Sequence, residues 1–147
     1  MKLNKEILLN VNNLCISTTE KTKQQNLIDG ISFKIKKNEI IGLIGESGSG
    51  KSLTSLSILG LLEKNKFNIS GEIIFDKKNL LNLDNNAMME IRGSEISMIF
   101  QEPMSALNPT MKIGKQLFEV FKAHKNLSFE HTTERIKKLI KKVKPDN

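Results

Sequence analysis

The chain has no tryptophan, no tyrosine, one cysteine and three prolines in 147 residues. Each shortage closes off a class of protein. With Cys15 alone, no internal disulfide can form, and the composition fits a reducing cytoplasm. Cys15 lies between Leu14 and Ile16 in a strand-like run, where a thiol acts as a small, inert, buried apolar group. No run approaches the ~20 apolar residues of a membrane span. The N-terminal Met1-Lys2-Leu3-Asn4-Lys5-Glu6 lacks a long apolar signal region. Arginine is nearly missing too: Arg92 and Arg135 stand beside 21 lysines. A net charge of +7 and a pI near 9.5 invite a nucleic-acid partner. Readers of nucleic acid, however, use Arg forks for bidentate contacts and aromatics interleaved with basic clusters. Neither is present, so no nucleic-acid partner is expected, and the lysine excess reads as compositional bias. At this length the chain suits one domain, burying roughly 70% of its unfolded surface.

What the chain does have is a complete phosphate loop. Gly45-Glu46-Ser47-Gly48-Ser49-Gly50-Lys51-Ser52 matches G-x-x-x-x-G-K-[ST]. The glycines let the backbone close around a phosphate so that successive N–H groups converge on its oxygens. Lys51 supplies a point charge to the β- and γ-phosphates, and the Ser52 hydroxyl can ligate Mg²⁺. Ile40-Ile41-Gly42-Leu43-Ile44, just before it, is an apolar run of the kind that forms a buried parallel strand. Leu53, Leu56 and Leu59 to Leu62 follow at helical spacing, which puts the phosphates at a helix N-terminus. A glycine-rich turn with a chance lysine would lack this strand and helix.

Around the loop, the pattern predicts a strand over 7–16 and a half-buried strand at Ile31, Phe33 and Ile35. Lys37-Asn38 makes a turn in which Asn accepts a left-handed backbone. Gly71 to Phe75 reads as a strand ending in a turn around Asp76 to Asn79. Asp84 can cap a short helix running to Arg92. Ile96 to Phe100 reads as a strand delivering Gln101, and 103–109 as a loop. Two helices close the chain, one with Ile113, Leu117, Val120, Phe121 and His124 on a face, the other from about Ser128 with Ile136, Leu139, Ile140 and Val143. The lysine face of this last helix (Lys137, Lys138, Lys141, Lys142) reads as solvated.

The run Ile96-Ser97-Met98-Ile99-Phe100-Gln101-Glu102-Pro103-Met104-Ser105-Ala106-Leu107-Asn108-Pro109 resembles the Q-loop of ABC transporter ATP-binding subunits, in the branch that energises dipeptide, oligopeptide and nickel import. Asp29-Gly30-Ile31-Ser32-Phe33, the phosphate loop, Ser70-Gly71-Glu72-Ile73-Ile74-Phe75 and Ile91-Arg92-Gly93 match that branch in order and spacing. The resemblance implies an α/β fold, a P-loop NTPase domain of the ABC type. Residues 1–104 would be its β-rich and phosphate-loop portion and 105–147 the start of a helical subdomain. It implies ATP and Mg²⁺ as cofactors, with Gly45, Glu46, Ser47, Gly48, Ser49, Gly50, Lys51, Ser52 and Leu53 around the phosphates. Ser52 and Gln101 would reach the metal, and Gln101 would also position water. A neutral amide can orient water without competing for the metal. Membrane permease subunits and a second ATP-binding subunit are the implied partners, on the cytoplasmic side of the membrane.

The departures from the family pattern carry as much information. Such subunits place an aromatic shortly after the first strand to stack on adenine, and that place falls here at Thr18 or Thr19. Its loss is worth on the order of 1–3 kcal/mol, judged from base–aromatic stacking elsewhere. The Leu-Ser-Gly-Gly-Gln signature, a Walker B strand ending in Asp-Glu and the switch histidine are absent from these residues. Ile73-Ile74-Phe75-Asp76 imitates a Walker B strand but precedes the Q-loop and continues into Lys77. His124 and His131 belong to the closing helices. The expectation is an N-terminal piece of the domain, stopping before the signature and Walker B segments. Two readings stay open: the nucleotide-binding part of a peptide importer, or a nucleotide-binding or interaction fragment without turnover. A P-loop kinase or GTPase fits less well, for want of a substrate- or guanine-reading motif.

Overall fold

A computed structural model describes residues 6–20, 24–124 and 128–143. Strands β1 (Ile7–Thr18), β2 (Asn26–Lys36), β3 (Phe67–Phe75) and β4 (Lys78–Asn79) form one sheet in the order β2-β1-β3-β4, with every pair antiparallel. The helices are α1 (Lys51–Ile58), α2 (Asn85–Ile91), α3 (Ile113–His124) and α4 (Phe129–Val143). Short 3-10 turns lie at Leu80–Asn82 and Pro103–Ala106. The chain forms two compact units, Met1–Met88 and Met89–Asn147.

The first unit is built on β1, central in the sheet and apolar at alternate positions. Val11, Leu14, Ile16 and Ile73 are wholly buried, and Leu9, Ile28, Phe75 and Leu80 nearly so. The alternation is broken once, at Asn13, whose φ is 48°. This bulge explains two glycines. A Cβ on Gly71 would stand 2.3 Å from the Asn13 carbonyl oxygen, and one on Gly30 would stand 3.0 Å from Asn13 Oδ1. Asn13 N donates to Ser32 Oγ at 2.8 Å. Cys15 is half-buried beside the bulge, its Sγ accepting from Gly30 N at 3.2 Å. Asp76 and Lys77 turn the chain from β3 into β4 with φ of 42° and 68°. Asp76 is therefore an exposed hairpin residue, as its place before the Q-loop-like run implies.

Two predicted strands are not strands. Residues 39–46 run without a ladder partner, with Ile40 fully exposed and Ile44 96% exposed. The run from Ile96 to Phe100 makes a single parallel bridge, Arg92 to Ile96, and Ile99 is 89% exposed. The physical reason is the nature of a parallel strand, which needs a neighbour on each side to pair its N–H and C=O groups. Among the described residues no strand flanks either run.

In the second unit, α3 and α4 pack through Phe118 and Phe129, whose ring centroids lie 5.2 Å apart. Ile136 and Thr132 are buried, while Leu139, Ile140 and Val143 are exposed. The turn after α2 is tied by Gly93 N to Ile96 O at 2.8 Å. A Cβ on Gly93 would reach 2.8 Å from His124 Nε2, so His124 packs on this turn.

Candidate functional site

The phosphate loop follows the exposed 39–46 run and opens α1. Gly45, Glu46, Ser47, Gly48 and Ser49 are all exposed, and Gly50 is half-buried. Ser49 N donates to Glu46 O at 3.2 Å, which closes the turn. Gly48 and Gly50 have φ of 82° and 88°, a region L side chains rarely adopt. Gly50 has a second reason to be glycine. A Cβ there would sit 2.9 Å from Ile28 Cγ1, so the loop is seated directly on β2. A Cβ on Gly45 would strike Ser49 Oγ at 2.6 Å.

Gly50 is also the N-cap of α1, and no side chain caps that end. The N–H groups of Lys51, Ser52 and Leu53 have no carbonyl within the helix to bond, and they join the positive end of the helix dipole. Thr54 N and Oγ1 both donate to Gly50 O, at 2.8 and 3.0 Å, anchoring the first turn. Thr54 and Ser57 are buried, whereas Leu53 and Leu56 of the predicted leucine stripe are only half-buried. Their hydroxyls fit there because each bonds back to a main-chain carbonyl, Ser57 to Thr54 O at 2.7 Å. Periodicity could not have found them.

Lys51 is the most informative side chain. Its ammonium donates to Gly45 O at 2.8 Å, Glu46 O at 2.6 Å and Ser49 Oγ at 3.2 Å. Among the described residues the charge is thus held inside the loop by neutral oxygens. A cleft of about 290 Å³ adjoins it, lined by Leu27, Ile28, Asp29 and Ile31 of β2, by Leu43, Ile44, Gly45 and Ser49, and by Lys51 and Thr54 of α1. A cradle of exposed main-chain N–H groups, a fixed ammonium and two glycines at left-handed φ fits an oxyanion. Ser52 is exposed on the first turn of α1, with Leu53 half-buried beside it. Among the described residues no cluster of three or more His, Cys, Asp or Glu could hold a metal. The exposed Ser52 hydroxyl is a hard oxygen donor of the kind magnesium favours.

Gln101 lies in the second unit, exposed, where the chain bends after Phe100. The loop beyond it is braced by a reciprocal amide pair. Asn108 N donates to Gln116 Oε1 at 3.0 Å, and Gln116 Nε2 donates to Asn108 O at 3.0 Å and Met111 O at 2.8 Å. Asn108 Oδ1 in turn accepts from Thr110 N and Oγ1. Sequence reasoning missed Gln116, which carries no motif signal.

Comparison with known proteins gives the family and the fold. The family model described as ABC transporter matches residues 28–147. The chain is 44% identical over 137 residues to the oligopeptide transport ATP-binding protein AppD of Bacillus subtilis, covering 92% of this chain and 42% of the relative. It is 45% identical over 124 residues to the dipeptide transport ATP-binding protein DppD of the same organism, covering 84% and 37%. To the oligopeptide transport ATP-binding protein OppD of Escherichia coli it is 37% identical over 139 residues, covering 95% and 41%. The chain thus spans about two-fifths of the length of these relatives. Among solved structures, the dimeric bacterial ABC transporter cassette MJ0796 superposes with a TM-score of 0.74 at 23% identity, over 90% of this chain and 56% of that one. At that identity the likeness speaks for the fold.

Proposed function

Because the chain belongs to the ABC transporter family, we propose that it binds ATP with Mg²⁺ at the phosphate loop, as the N-terminal part of an ATP-binding subunit that energises peptide import. The observation that carries this is the loop itself: Lys51 held on Gly45 O and Glu46 O at the open end of α1. Names of relatives, all transport ATP-binding proteins for oligopeptides or dipeptides, support the substrate class. Permease subunits and a second ATP-binding subunit are the proposed partners, at the cytoplasmic face of a membrane. No helix of the described residues is long and apolar enough to cross one. We propose residues 1–104 as the β-rich and phosphate-loop portion of this domain and 105–147 as the start of its helical subdomain.

In this reading Lys51 leaves the loop carbonyls and turns its charge to the phosphates. The main-chain N–H groups of Ser47 to Ser52, with Leu53 next to them, hold the phosphate oxygens in place. Ser52 and Gln101 would hold Mg²⁺, which supplies charge neutralisation when bound. Gln101 also orients water. A second reading, a nucleotide-binding or interaction fragment without turnover, is favoured by the two predicted strands that form none among the described residues, 40–44 with no ladder partner and 96–100 with a single bridge.

Calorimetry with Mg-ATP tests the site. Two unit charges ~4 Å apart at an effective dielectric of 20 interact by about 4 kcal/mol before desolvation. Lys51→Ala is expected to weaken ATP at least tenfold while leaving the circular dichroism spectrum unchanged. Equal affinity of the folded variant and the wild type would sink the assignment.

A further inference from the structure

We propose that Phe67 is the surface on which the base of the bound nucleotide stacks. The proposal rests on the nucleotide reading of the phosphate loop given above. Its starting point is the seat of Gly50 on the Ile28 side chain. Ile28 stands opposite Ile16 in the β2–β1 ladder, and Ile16 stands opposite Ile69 in the β1–β3 ladder. Residues directly opposite one another share a face of the sheet, and so do residues two apart along a strand. Ile28, Ile16, Ile69 and Phe67 therefore project from one face, the face on which the phosphate loop sits. Two strand spacings and two residue rises put Phe67 about 12 Å from Ile28. That is the reach of an extended nucleoside triphosphate from its phosphates to its base.

Phe67 is half-buried, so its ring keeps an accessible surface. Its backbone is held firmly. Phe67 N donates to Glu63 O at 3.0 Å, Thr19 N to Lys66 O at 3.0 Å, and Thr19 Oγ1 to Asn65 O at 2.6 Å. These bonds lash the turn before β3 to the end of β1, where Thr18 lies directly opposite Phe67. Thr18 and Thr19 themselves offer no π-surface, and their hydroxyls already serve the backbone, Thr18 Oγ1 accepting from Gln25 N at 3.0 Å. The other phenylalanines of the first unit lie toward the far end of the sheet, Phe33 opposite Val11 and Phe75 opposite Leu9. Phe67 is the aromatic at the loop end. Every base has a π-face, so stacking here adds affinity with little choice among bases.

The experiment is calorimetry on the full chain with Mg-ATP, Mg-GTP and Mg-tripolyphosphate, for wild type, Phe67→Ala and Phe67→Tyr. Phe67→Ala is expected to weaken ATP and GTP about tenfold and to leave tripolyphosphate unchanged. Phe67→Tyr is expected to keep wild-type affinity, and GTP to bind within a few-fold of ATP. Unchanged ATP affinity in Phe67→Ala overturns the proposal. So does wild-type tripolyphosphate binding as tight as ATP, which leaves the phosphate-loop reading standing. A wild-type chain that binds neither ATP nor tripolyphosphate overturns both. A second measurement guards against a variant that fails to fold: the wild-type chain with ATP should give nuclear Overhauser contacts between adenine and Phe67 ring protons, and their absence overturns the assignment.

Discussion

At the scale of the residue, the glycines divide sharply into those the backbone demands and those it merely tolerates. Gly71 has a φ of 98° and lies where any Cβ would meet the Asn13 main chain, with its carbonyl carbon at 2.7 Å as well as the oxygen. Backbone cannot step aside as the tip of a side chain can. Gly71→Ala is therefore expected to cost more than about 2 kcal/mol, the left-handed penalty plus displacement of the bulge. Gly114, near the start of α3, has nothing within 4 Å of an added Cβ. There Gly114→Ala should be neutral or stabilising by up to about 1 kcal/mol, from helix propensity. Urea unfolding midpoints of the two variants decide the matter, and equal midpoints would refute the reading of the bulge. Much at this scale was legible beforehand. Lys51, Ser52 and the loop glycines stand out by spacing alone, and Asn38 does adopt the left-handed turn expected of it, with φ 58°. Asp84 caps α2 as its side chain suggested, Oδ1 accepting from Ala87 N at 2.8 Å. The Ile28 seat under Gly50 was not legible, because it joins residues whose proximity arises only when β2 and the loop pack.

At the scale of the element, the β1–β2 pair is closed at its open end by one ion pair. Lys37 Nζ meets Glu6 Oε2 at 2.7 Å, and Lys37 N donates to Glu6 O at 2.9 Å. The hydrogen bond to Lys37 and the attraction of its charge hold the Glu6 carboxyl below its ordinary value of 4.5. The same bond and charge raise Lys37 above its ordinary 10.5. A carboxyl lowered on folding adds stability that is complete above 4.5 and is lost as the pH falls through the depressed value. A lysine raised on folding adds stability that is complete below 10.5 and is lost as the pH rises through the raised value. Both partners are exposed, so the gain is small and salt weakens it. Glu6→Gln should lower the urea midpoint slightly at pH 7 and not at all at pH 2 in low salt. A difference that persists unchanged at pH 2 would assign the effect to packing. The antiparallel strands were visible in the sequence because half-burial leaves a period-two signature. The runs at 40–44 and 96–100 carry the uniform apolarity of buried parallel strands, and this pattern encodes an environment as well as a conformation. Without flanking strands among the described residues, 40–44 forms no ladder and is exposed, and 96–100 makes one bridge and stays partly exposed.

At the scale of the whole molecule, the phosphate loop belongs to one compact unit and Gln101 to the other. These 147 residues contain neither a signature segment nor Walker B acids. Phosphoryl transfer depends on positioning and charge stabilisation contributed by several groups together. Removing several at once should abolish turnover, so a purified chain of these 147 residues is expected to bind Mg-ATP without hydrolysing it above background. Phosphate release is compared for the wild type and Lys51→Ala at saturating Mg-ATP. Wild-type turnover near ~1 s⁻¹, at the low end of the usual enzyme range, that vanishes in the variant would show catalytic groups beyond those named.

By itself the sequence determined the family and marked the phosphate loop. A phosphate loop is a local object: eight consecutive residues hold its glycines, its lysine and its hydroxyl, and their order is enough to read them. It also marked the strands over 7–16 and 31–35 and the turn at Asp76, whose alternation and turn residues are short-range. Only the tertiary structure decided what lies beside what. It brought β3 next to β1, set Phe67 opposite Thr18 and on the face shared with Ile28, and put Gly30 and Gly71 on either side of the Asn13 bulge. Those juxtapositions join residues tens of positions apart. They follow from ladder register, which is selected by the summed burial of a whole face and is written at no single position.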